Sequence, residues 1–185
     1  MVHILVDMDG VIADWGKQWD HVLNTMWPES RLPRHREQRT FDLKAGMDDY
    51  DRDVVDLVMN HPGFYRELLP IDGAVEALLS MVEDGHTVNV CTSPWLTNRT
   101  CLQDKVDWLE THVGVGWSKR AVVTSDKTVV HGDLLIDDKP EIVGALTPSW
   151  EHVVFDQPYN QHVTRRRLSD WSQWRSILDR QEIAA

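Results

Sequence analysis

The chain has 185 residues, a length typical of one domain that carries at most a small inserted module. Lysine and arginine number 19 against 30 aspartates and glutamates, which gives a formal net charge of −11. This charge argues against a nucleic-acid polymer as a partner, because phosphate backbones are bound by basic surfaces. The 42% hydrophobic content suffices for a packed core and excludes disorder over most of the chain.

No part of the sequence has the character of a membrane anchor or an export signal. Apolar runs stay well short of the roughly 18 residues that a transmembrane helix needs. The first residues lack the basic and apolar regions of a signal peptide, so we expect a cytoplasmic protein without membrane partners. Cys91 and Cys101 have no CxxC spacing, and we expect free thiols, buried or half-buried, and no zinc.

Strands and helices alternate along most of the chain. Short β-branched runs predict five strands, at 2–6, 87–91, 121–124, 134–136 and 152–155. Apolar periodicity predicts a helix over 73–84 after an N-cap at Asp72, with a buried stripe of Val75, Leu78, Leu79 and Val82. A second helix begins near Asn98, with Leu102, Val106, Leu109 and Val113 on one face. A terminal amphipathic helix carries Leu168, Trp171, Ile177 and Leu178, with the arginines 165–167 at its solvent-exposed start.

This alternation predicts a Rossmann-like α/β fold with a mostly parallel five-stranded sheet and helices on both faces. Residues 16–70 interrupt the pattern directly after the first strand. They are mainly helical and divided by prolines, and the basic run 34–39 within them is interpreted as an exposed face. We therefore expect a core formed by 1–15 and 71–185, with 16–70 as a small helical cap over the end of the first strand. The acidic segment 48–53 is expected to begin a helix.

Polar residues follow three of the predicted strands. Open parallel sheets bind ligands at the carboxyl ends of their strands. At those ends lie Asp7-Met8-Asp9-Gly10, Thr92-Ser93-Pro94 and Asp137-Asp138, and Lys127 precedes the fourth strand. We therefore expect four carboxylates, two hydroxyls and one ammonium at one edge of the sheet.

The chemistry of this set is that of a hard cation and a phosphate. Clustered carboxylates together with substrate phosphate oxygens suit Mg²⁺, and no histidine or cysteine cluster offers ligands for zinc. Calcium binding by an EF-hand loop is excluded because Gly10 is the fourth residue of such a loop and not the sixth. One carboxylate can attack phosphorus while a second moves the proton, and a hydroxyl and an ammonium can hold the phosphoryl oxygens.

These motifs resemble those of the haloacid dehalogenase-like phosphatases. Two longer segments, 126–140 and 62–77, are similar to the 5′(3′)-deoxyribonucleotidases. The resemblance implies a Mg²⁺-dependent phosphomonoesterase that acts on deoxyribonucleoside monophosphates through an aspartyl phosphate. It is weakest in the cap and in the last forty or so residues.

The resemblance also implies roles for single residues. Asp7 corresponds to the nucleophile and a metal ligand, and Asp9 to the acid/base, which gives the metal its backbone carbonyl. Asp138 corresponds to the other carboxylate ligand, with Asp137 beside it. Thr92 and Lys127, with the adjacent Ser93, correspond to the phosphate-binding residues. Trp15 and Phe64 stand where the family contacts the substrate.

The sequence leaves alternatives open. The same core could act on another small phosphate ester, or the chain could be a catalytically silent nucleotide-binding or protein-interaction module, although the presence of both Asp7 and Asp9 favours an enzyme. The chain departs from the resemblance at Leu96, where we expect a lysine, and Asn98 or Arg99 is a candidate to replace its charge. Base preference, phosphate position and a homodimeric state are not decided by the sequence.

Overall fold

The computed structural model describes residues 1–178 and has one parallel sheet at its centre. Its strands are β1 (His3–Val6), β2 (Thr87–Thr92), β3 (Ala121–Val123), β4 (Leu134–Asp137), β5 (Glu151–Phe155) and β6 (Arg167–Leu168). Its α-helices are α1 (Trp15–Met26), α2 (Asp49–Met59), α3 (Ala74–Glu83) and α4 (Cys101–His112). Short 3₁₀ helices lie at His35–Glu37, Trp117–Arg120, Lys127–Val129, Pro158–Asn160 and Trp171–Ile177.

The strands are ordered β3-β2-β1-β4-β5-β6, and every pair is parallel. The chain moves from β1 outward to β3 and then crosses back to β4, so β1 and β4 are neighbours at the point where the direction reverses. Such a switch point leaves a crevice at the carboxyl ends of the strands. The topology thus places the ends of β1 and β4 side by side, with β2 next to them.

The expectation of helices on both faces is not met by the described residues. Ile4 and Val6 of β1 point into one large apolar cluster, which contains the buried apolar side chains of all four α-helices. Leu5 points to the other face and packs with Cys91, Leu135 and Trp150, outside any α-helix. The reason is topological: all four helices precede β3, and right-handed crossovers that run in one direction lie on one face. The return connections are 3₁₀ helices and loops.

The sheet has six strands, so the predicted count of five was wrong. The predicted terminal helix is instead β6 followed by the 3₁₀ helix Trp171–Ile177. Arg167 belongs to β6, and its guanidinium donates to the carbonyl oxygens of Asn160 and Val163 at 2.9 Å each. Leu168 and Trp171 are buried as predicted, but a two-residue strand has no periodicity from which it could be predicted.

The predicted helix stripes were partly shifted. In α3 the buried residues are Ala74, Ala77, Leu78 and Met81. In α4 they are Cys101, Asp104, Lys105, Trp108 and Leu109, while Leu102 is exposed. The start of α2 was predicted correctly, because Asp48 caps it by accepting from the backbone N–H of Asp51 at 3.0 Å. Both cysteines are buried free thiols, as expected.

Residues 16–70 contain most of α1 and all of α2, and their buried apolar side chains join the same cluster as the sheet. The domain boundaries proposed above stay a prediction. Among residues 1–178, none of the helices combines the length and apolar character that crossing a membrane requires.

His152 on β5 should make the protein sensitive to acid. Burial lowers the pKa of its ring to about 4, and its Nε2 donates to the carbonyl oxygen of Asp137 at 3.3 Å. As pH falls from 6.5 to about 4, the unfolded chain binds a proton that folded His152 does not, so folding stability falls. Since the ring is partly exposed, we expect a loss of about 1–2 kcal/mol from this residue.

The measurement is urea unfolding of the wild type and His152→Gln at pH 7.5 and pH 4.5. Glutamine can still donate to Asp137 but does not titrate, so the variant should lose less stability on acidification. Other titrating groups are common to both proteins and cancel in the difference. Equal losses in the two proteins would exclude His152 as the source.

Candidate active site

Asp7 lies at the centre of the sheet's carboxyl edge. Its backbone N–H donates to the carbonyl oxygen of Ile136 at 2.8 Å, which extends the β1–β4 pairing by one residue. Asp137 is the last residue of β4, so the two carboxylates meet across neighbouring strands. One carboxylate oxygen from each of Asp7, Asp137 and Asp138 lies within 4.8 Å of the other two.

Lys127 connects these carboxylates. It begins the 3₁₀ helix Lys127–Val129, which Asp126 caps by accepting from the backbone N–H of Thr128 at 2.9 Å. The Lys127 ammonium lies 2.6 Å from Oδ1 of Asp7 and 2.5 Å from Oδ2 of Asp137. The cap therefore fixes the start of a short helix from which one buried cation reaches two aspartates.

Asp138 is held from the end of β5. The Tyr159 hydroxyl donates to its Oδ2, and Asn160 Nδ2 donates to its carbonyl oxygen at 2.8 Å. Gly10 has a φ of +74°, and a Cβ added there would lie 2.5 Å from Oδ2 of Asp138. Glycine is therefore needed at position 10 for the turn after β1 and for the close approach of the Asp138 carboxylate.

Asp9 belongs to a second cluster beside the first. Lys105 Nζ, which is buried on α4, donates to Oδ2 of Asp9 at 2.6 Å and to Oγ1 of Thr92 at 2.8 Å. Its third contact is the carbonyl oxygen of Ser93 at 2.9 Å. Oδ1 of Asp9 is buried and has no hydrogen-bond partner among residues 1–178. Lys105 and Tyr159 are the main site residues that the sequence analysis missed.

Burial and mutual repulsion dominate the electrostatics. Desolvation raises the pKa of Asp7 and of Asp9, although Lys127 and Lys105 respectively oppose the rise. Desolvation, followed by repulsion from Asp137 and Asp7, raises the pKa of Asp138 well above its ordinary value. Burial lowers the pKa of Lys127, but the attraction of Asp137 and Asp7 outweighs it and raises the pKa overall.

The cluster has the donor set of a hard cation site. Four aspartates (7, 9, 137 and 138) face two lysines (105 and 127), so the cluster has two formal negative charges in excess when all four carboxyl groups are ionised. The Lys127 ammonium donates to Oδ2 of Asp137, and the backbone N–H of Lys139 donates to its Oδ1. Asp138 keeps one oxygen without a hydrogen bond from the described residues, and each oxygen of Asp7 keeps at least one lone pair. A divalent cation fits this charge and these oxygen ligands.

A cavity of about 540 Å³ opens onto the cluster. This volume lies within the range of roughly 300–1,000 Å³ typical of small-molecule sites. The predicted residues that line it are Asp7, Asp9, Trp15, Thr92, Ser93, Lys127 and Asp138. The side chain of Ser93 donates to the carbonyl oxygen of Thr124 at 2.9 Å. The structure does not bring Phe64 to the cavity: it is fully buried and packs edge-on against Trp15.

The other walls come mainly from residues 38–44 and from the segment after β2. Trp95 follows Thr92-Ser93-Pro94, and Lys44 lies over its ring at 5.8 Å from the centroid. Neither candidate for replacing the charge absent at Leu96 lines this cavity: Asn98 is buried and donates to the carbonyl oxygen of Met59, and Arg99 is exposed. Of the cationic residues within 1–178, Lys44, Lys127 and Lys139 line it.

Comparison with known proteins assigns the chain to a family. Residues 1–182 match the model of the family described as 5′ nucleotidase, deoxy (Pyrimidine), cytosolic type C protein. The human cytosolic-type 5′(3′)-deoxyribonucleotidase is 41% identical over an alignment that covers 100% of this chain and 96% of that protein. The chain belongs to this deoxyribonucleotidase family. The resemblance inferred from the motifs is thereby confirmed, and the chain is a hydrolase of the nucleotidase type.

Further comparisons agree on family and fold. The human mitochondrial 5′(3′)-deoxyribonucleotidase is 38% identical, over 96% of this chain and 82% of that protein. Among solved structures, a haloacid dehalogenase family hydrolase from Deinococcus radiodurans superposes with a TM-score of 0.58 at 16% identity. That match covers 96% of this chain and 95% of that one. At this identity the similarity shows the fold alone, a haloacid dehalogenase-like α/β fold.

Gly10→Ala should damage this deoxyribonucleotidase site more than it damages the fold. Its matched control is Gly85→Ala, since Gly85 has a φ of +84° but nothing within 4 Å of an added Cβ. Both variants should lose about 1 kcal/mol of unfolding free energy from backbone strain. Only Gly10→Ala displaces Asp138, and we expect its kcat to fall roughly 100-fold.

The measurements are urea unfolding and initial rates of phosphate release at saturating Mg²⁺. Equal rates in the two variants would show that the Asp138 carboxylate tolerates displacement.

Proposed function

We propose that the chain is a Mg²⁺-dependent phosphomonoesterase that hydrolyses deoxyribonucleoside monophosphates through an aspartyl phosphate on Asp7. The observation that carries the proposal is the pair of adjacent clusters, Asp7 with Lys127 and Asp9 with Lys105, at the base of one cavity. The substrate class is supported by the family and by relatives named as 5′(3′)-deoxyribonucleotidases.

In the first step an oxygen of Asp7 attacks phosphorus, and the bond to the nucleoside oxygen breaks as the new P–O bond forms. Lys127 holds Oδ1 of Asp7, so Oδ2 is the oxygen left to attack. Asp9 gives its proton to the departing oxygen. Its raised pKa favours the protonated form that this role needs.

In the second step Asp9, now ionised, takes a proton from water while the water oxygen attacks phosphorus. The bond between Asp7 and phosphorus breaks, which releases inorganic phosphate and restores both carboxyl groups. The Lys127 ammonium and the Thr92 hydroxyl lie on the cavity wall, where they can donate to the phosphoryl oxygens in both steps. One pair of aspartates thereby replaces one difficult hydrolysis with two displacements.

Asp7, Asp138 and the backbone carbonyl of Asp9 would hold the Mg²⁺ ion. When bound, the ion would offset the excess negative charge of the cluster and withdraw charge from the phosphoryl group. Both oxygens of Asp137 already accept hydrogen bonds, from the Lys127 ammonium and from the Lys139 backbone N–H. Its proposed role is therefore to position Lys127 and not to bind the metal directly. The choice of Mg²⁺ follows from the oxygen-only donor set.

The nucleoside would occupy the part of the cavity formed by the inserted segment. We propose residues 16–70 as a cap, which supplies part of the cavity wall, including Gln38 and Phe41. Gln38 and Trp95 line the cavity, and their donors Nε2 and Nε1 are buried without a partner within residues 1–178. Because unsatisfied buried donors are unfavourable, we propose that these side chains turn toward a bound base and donate to its carbonyl oxygens.

A cytoplasmic location and action on free nucleotides, without a nucleic-acid polymer or a membrane, belong to the same proposal. Of the human relatives, one is described as cytosolic and another as mitochondrial. The acidic net charge of −11 supports a small substrate drawn in by a metal and a few lysines. A homodimer stays an open prediction.

Asp7→Asn should abolish turnover without unfolding the protein. Asparagine is isosteric with aspartate but a poor nucleophile, so phosphate release should fall at least about 1,000-fold. The assay is inorganic phosphate release with Mg²⁺ from 5′- and 3′-monophosphates, in deoxy and ribo forms, and from simple sugar phosphates. Near-native activity of the variant would contradict the proposed mechanism.

The same panel separates the alternatives. Release confined to deoxynucleotides supports the proposed substrate class. Release from sugar phosphates alone keeps the mechanism and replaces the substrate. If the wild type released no phosphate from any of these substrates, a nucleotide-binding module without catalytic activity would be favoured.

Gln38→Glu tests the contact with the base. Glutamate keeps the oxygen that faces His35 Nδ1 at 3.3 Å but replaces the free Nε2 donor with an acceptor. We expect KM for the best nucleotide to rise roughly 10-fold, with kcat changed much less. Gln18→Glu is the matched control, since Gln18 also has a buried, unpartnered Nε2 but does not line the cavity. Equal KM values in both variants would contradict a role for Gln38 in binding.

A further inference from the structure

Lys105 is the buried cation to which the mechanism above gives no task. It lies on α4, which packs against the sheet, and its side chain is 2% exposed. An ammonium has three N–H donors, and Lys105 has three acceptors: Asp9 Oδ2, Thr92 Oγ1 and the carbonyl oxygen of Ser93. Its donors are therefore satisfied before any substrate binds, and it does not line the cavity. Lys105 is not placed to bind phosphate.

The contact with Asp9 makes the two oxygens of that carboxyl group unequal. Lys105 holds Oδ2 at 2.6 Å, while Oδ1 is buried without a partner among the described residues. Asp9 itself lines the cavity. A carboxyl group free to rotate would exchange its two oxygens, whereas one held by Lys105 at Oδ2 keeps a single orientation toward the cavity.

The contact with Thr92 has a second consequence. A hydroxyl group has a single hydrogen, and an ammonium can only donate. Because Lys105 Nζ donates to Oγ1 of Thr92 at 2.8 Å, the Thr92 hydroxyl accepts there and keeps its own hydrogen for another acceptor. Thr92 lines the cavity, so that acceptor can be a phosphoryl oxygen.

We propose that Lys105 is a positioning residue that orients both the proton-transferring oxygen of Asp9 and the phosphate-donating hydroxyl of Thr92. This inference rests on the proposed function, because it assigns to Asp9 the proton transfer described there. It adds that one residue from α4, outside the motifs at the strand ends, fixes the orientation of both the acid/base and a phosphate donor.

The test exploits the leaving group. Departure of a deoxyribose oxygen needs a proton, whereas p-nitrophenolate leaves readily without one. In Lys105→Gln the misoriented Asp9 should slow turnover of deoxynucleotides roughly 100-fold or more, in line with the usual contribution of general acid catalysis. With p-nitrophenyl phosphate, phosphorylation of Asp7 should stay fast while hydrolysis by water is slow.

Rapid mixing of Lys105→Gln with p-nitrophenyl phosphate should therefore give a burst of p-nitrophenolate equal to the enzyme concentration, followed by a slow steady rate. The deoxynucleotide should give no burst. Leu78→Ala is the control for loss of stability, since Leu78 is fully buried on α3 and away from the cavity. That variant should lose stability but slow both substrates equally. If Lys105→Gln slowed the turnover of both substrates equally and gave no burst, Lys105 would have only a structural role, as a partner in an ion pair.

A second measurement isolates Thr92. In the Asp9→Asn background, inorganic phosphate binding with Mg²⁺ is measured by calorimetry with and without Lys105→Gln. The double variant also removes the unpaired buried charge and so guards against misfolding. We expect phosphate to bind several-fold more weakly when Lys105 is absent, and unchanged binding would overturn the Thr92 part. Failure of the proposed function itself would be seen separately, as an inactive wild type or an active Asp7→Asn protein.

Discussion

Burial of four carboxylates at one edge of the sheet is the constraint on which the site depends. Carboxylates taken out of water are costly unless cations meet them, and here Lys127 meets Asp7 and Asp137 while Lys105 meets Asp9. Lys127 comes from the 3₁₀ helix after β3, and Lys105 comes from α4. The sheet order brings these connections to the same place, because β1 lies between β2 and β4. Even so, two formal negative charges remain unmatched when all four aspartates are ionised. The cluster therefore favours a cation, and its lysines favour an anionic phosphate.

One glutamine links this edge to the inserted segment. Gln157 Nε2 donates to the carbonyl oxygen of Gly10 at 2.6 Å, and its Oε1 lies 2.9 Å from His35 Nε2. The His35 ring in turn occupies the space beside Gly16, where an added Cβ would clash with the ring. The catalytic turn, the segment after β5 and the inserted segment are thus joined by two hydrogen bonds and one close contact. These contacts connect the inserted segment to Gly10, which lies against the Asp138 carboxylate.

The sequence was informative wherever a strand end carried its own motif. Asp7, Thr92, Lys127 and Asp138 could be placed together because parallel strands end at a common edge. The same rule covers β5, whose end leads to Tyr159 and Asn160, yet neither residue type marks a site by itself. Tyr159 acquires its importance only from the Asp138 carboxylate that it contacts, a pairing of two connections that no local pattern encodes. β6 was missed because two residues cannot show a period of two.

Helix periodicity failed where the buried face is polar. The stripe predicted for α4 followed aliphatic residues, whereas the observed face contains Cys101, Lys105 and Trp108 at spacings of four and three. That spacing was visible in the sequence, but a lysine ordinarily indicates the solvent side. Gln38 was hidden in the same way inside a basic run interpreted as exposed. Both are positions at which local pattern and burial disagree, and such disagreements concentrate where a protein gives up the simplest packing for chemistry. The residues least predictable from pattern are therefore those whose polar atoms lie against the cavity and the carboxylates.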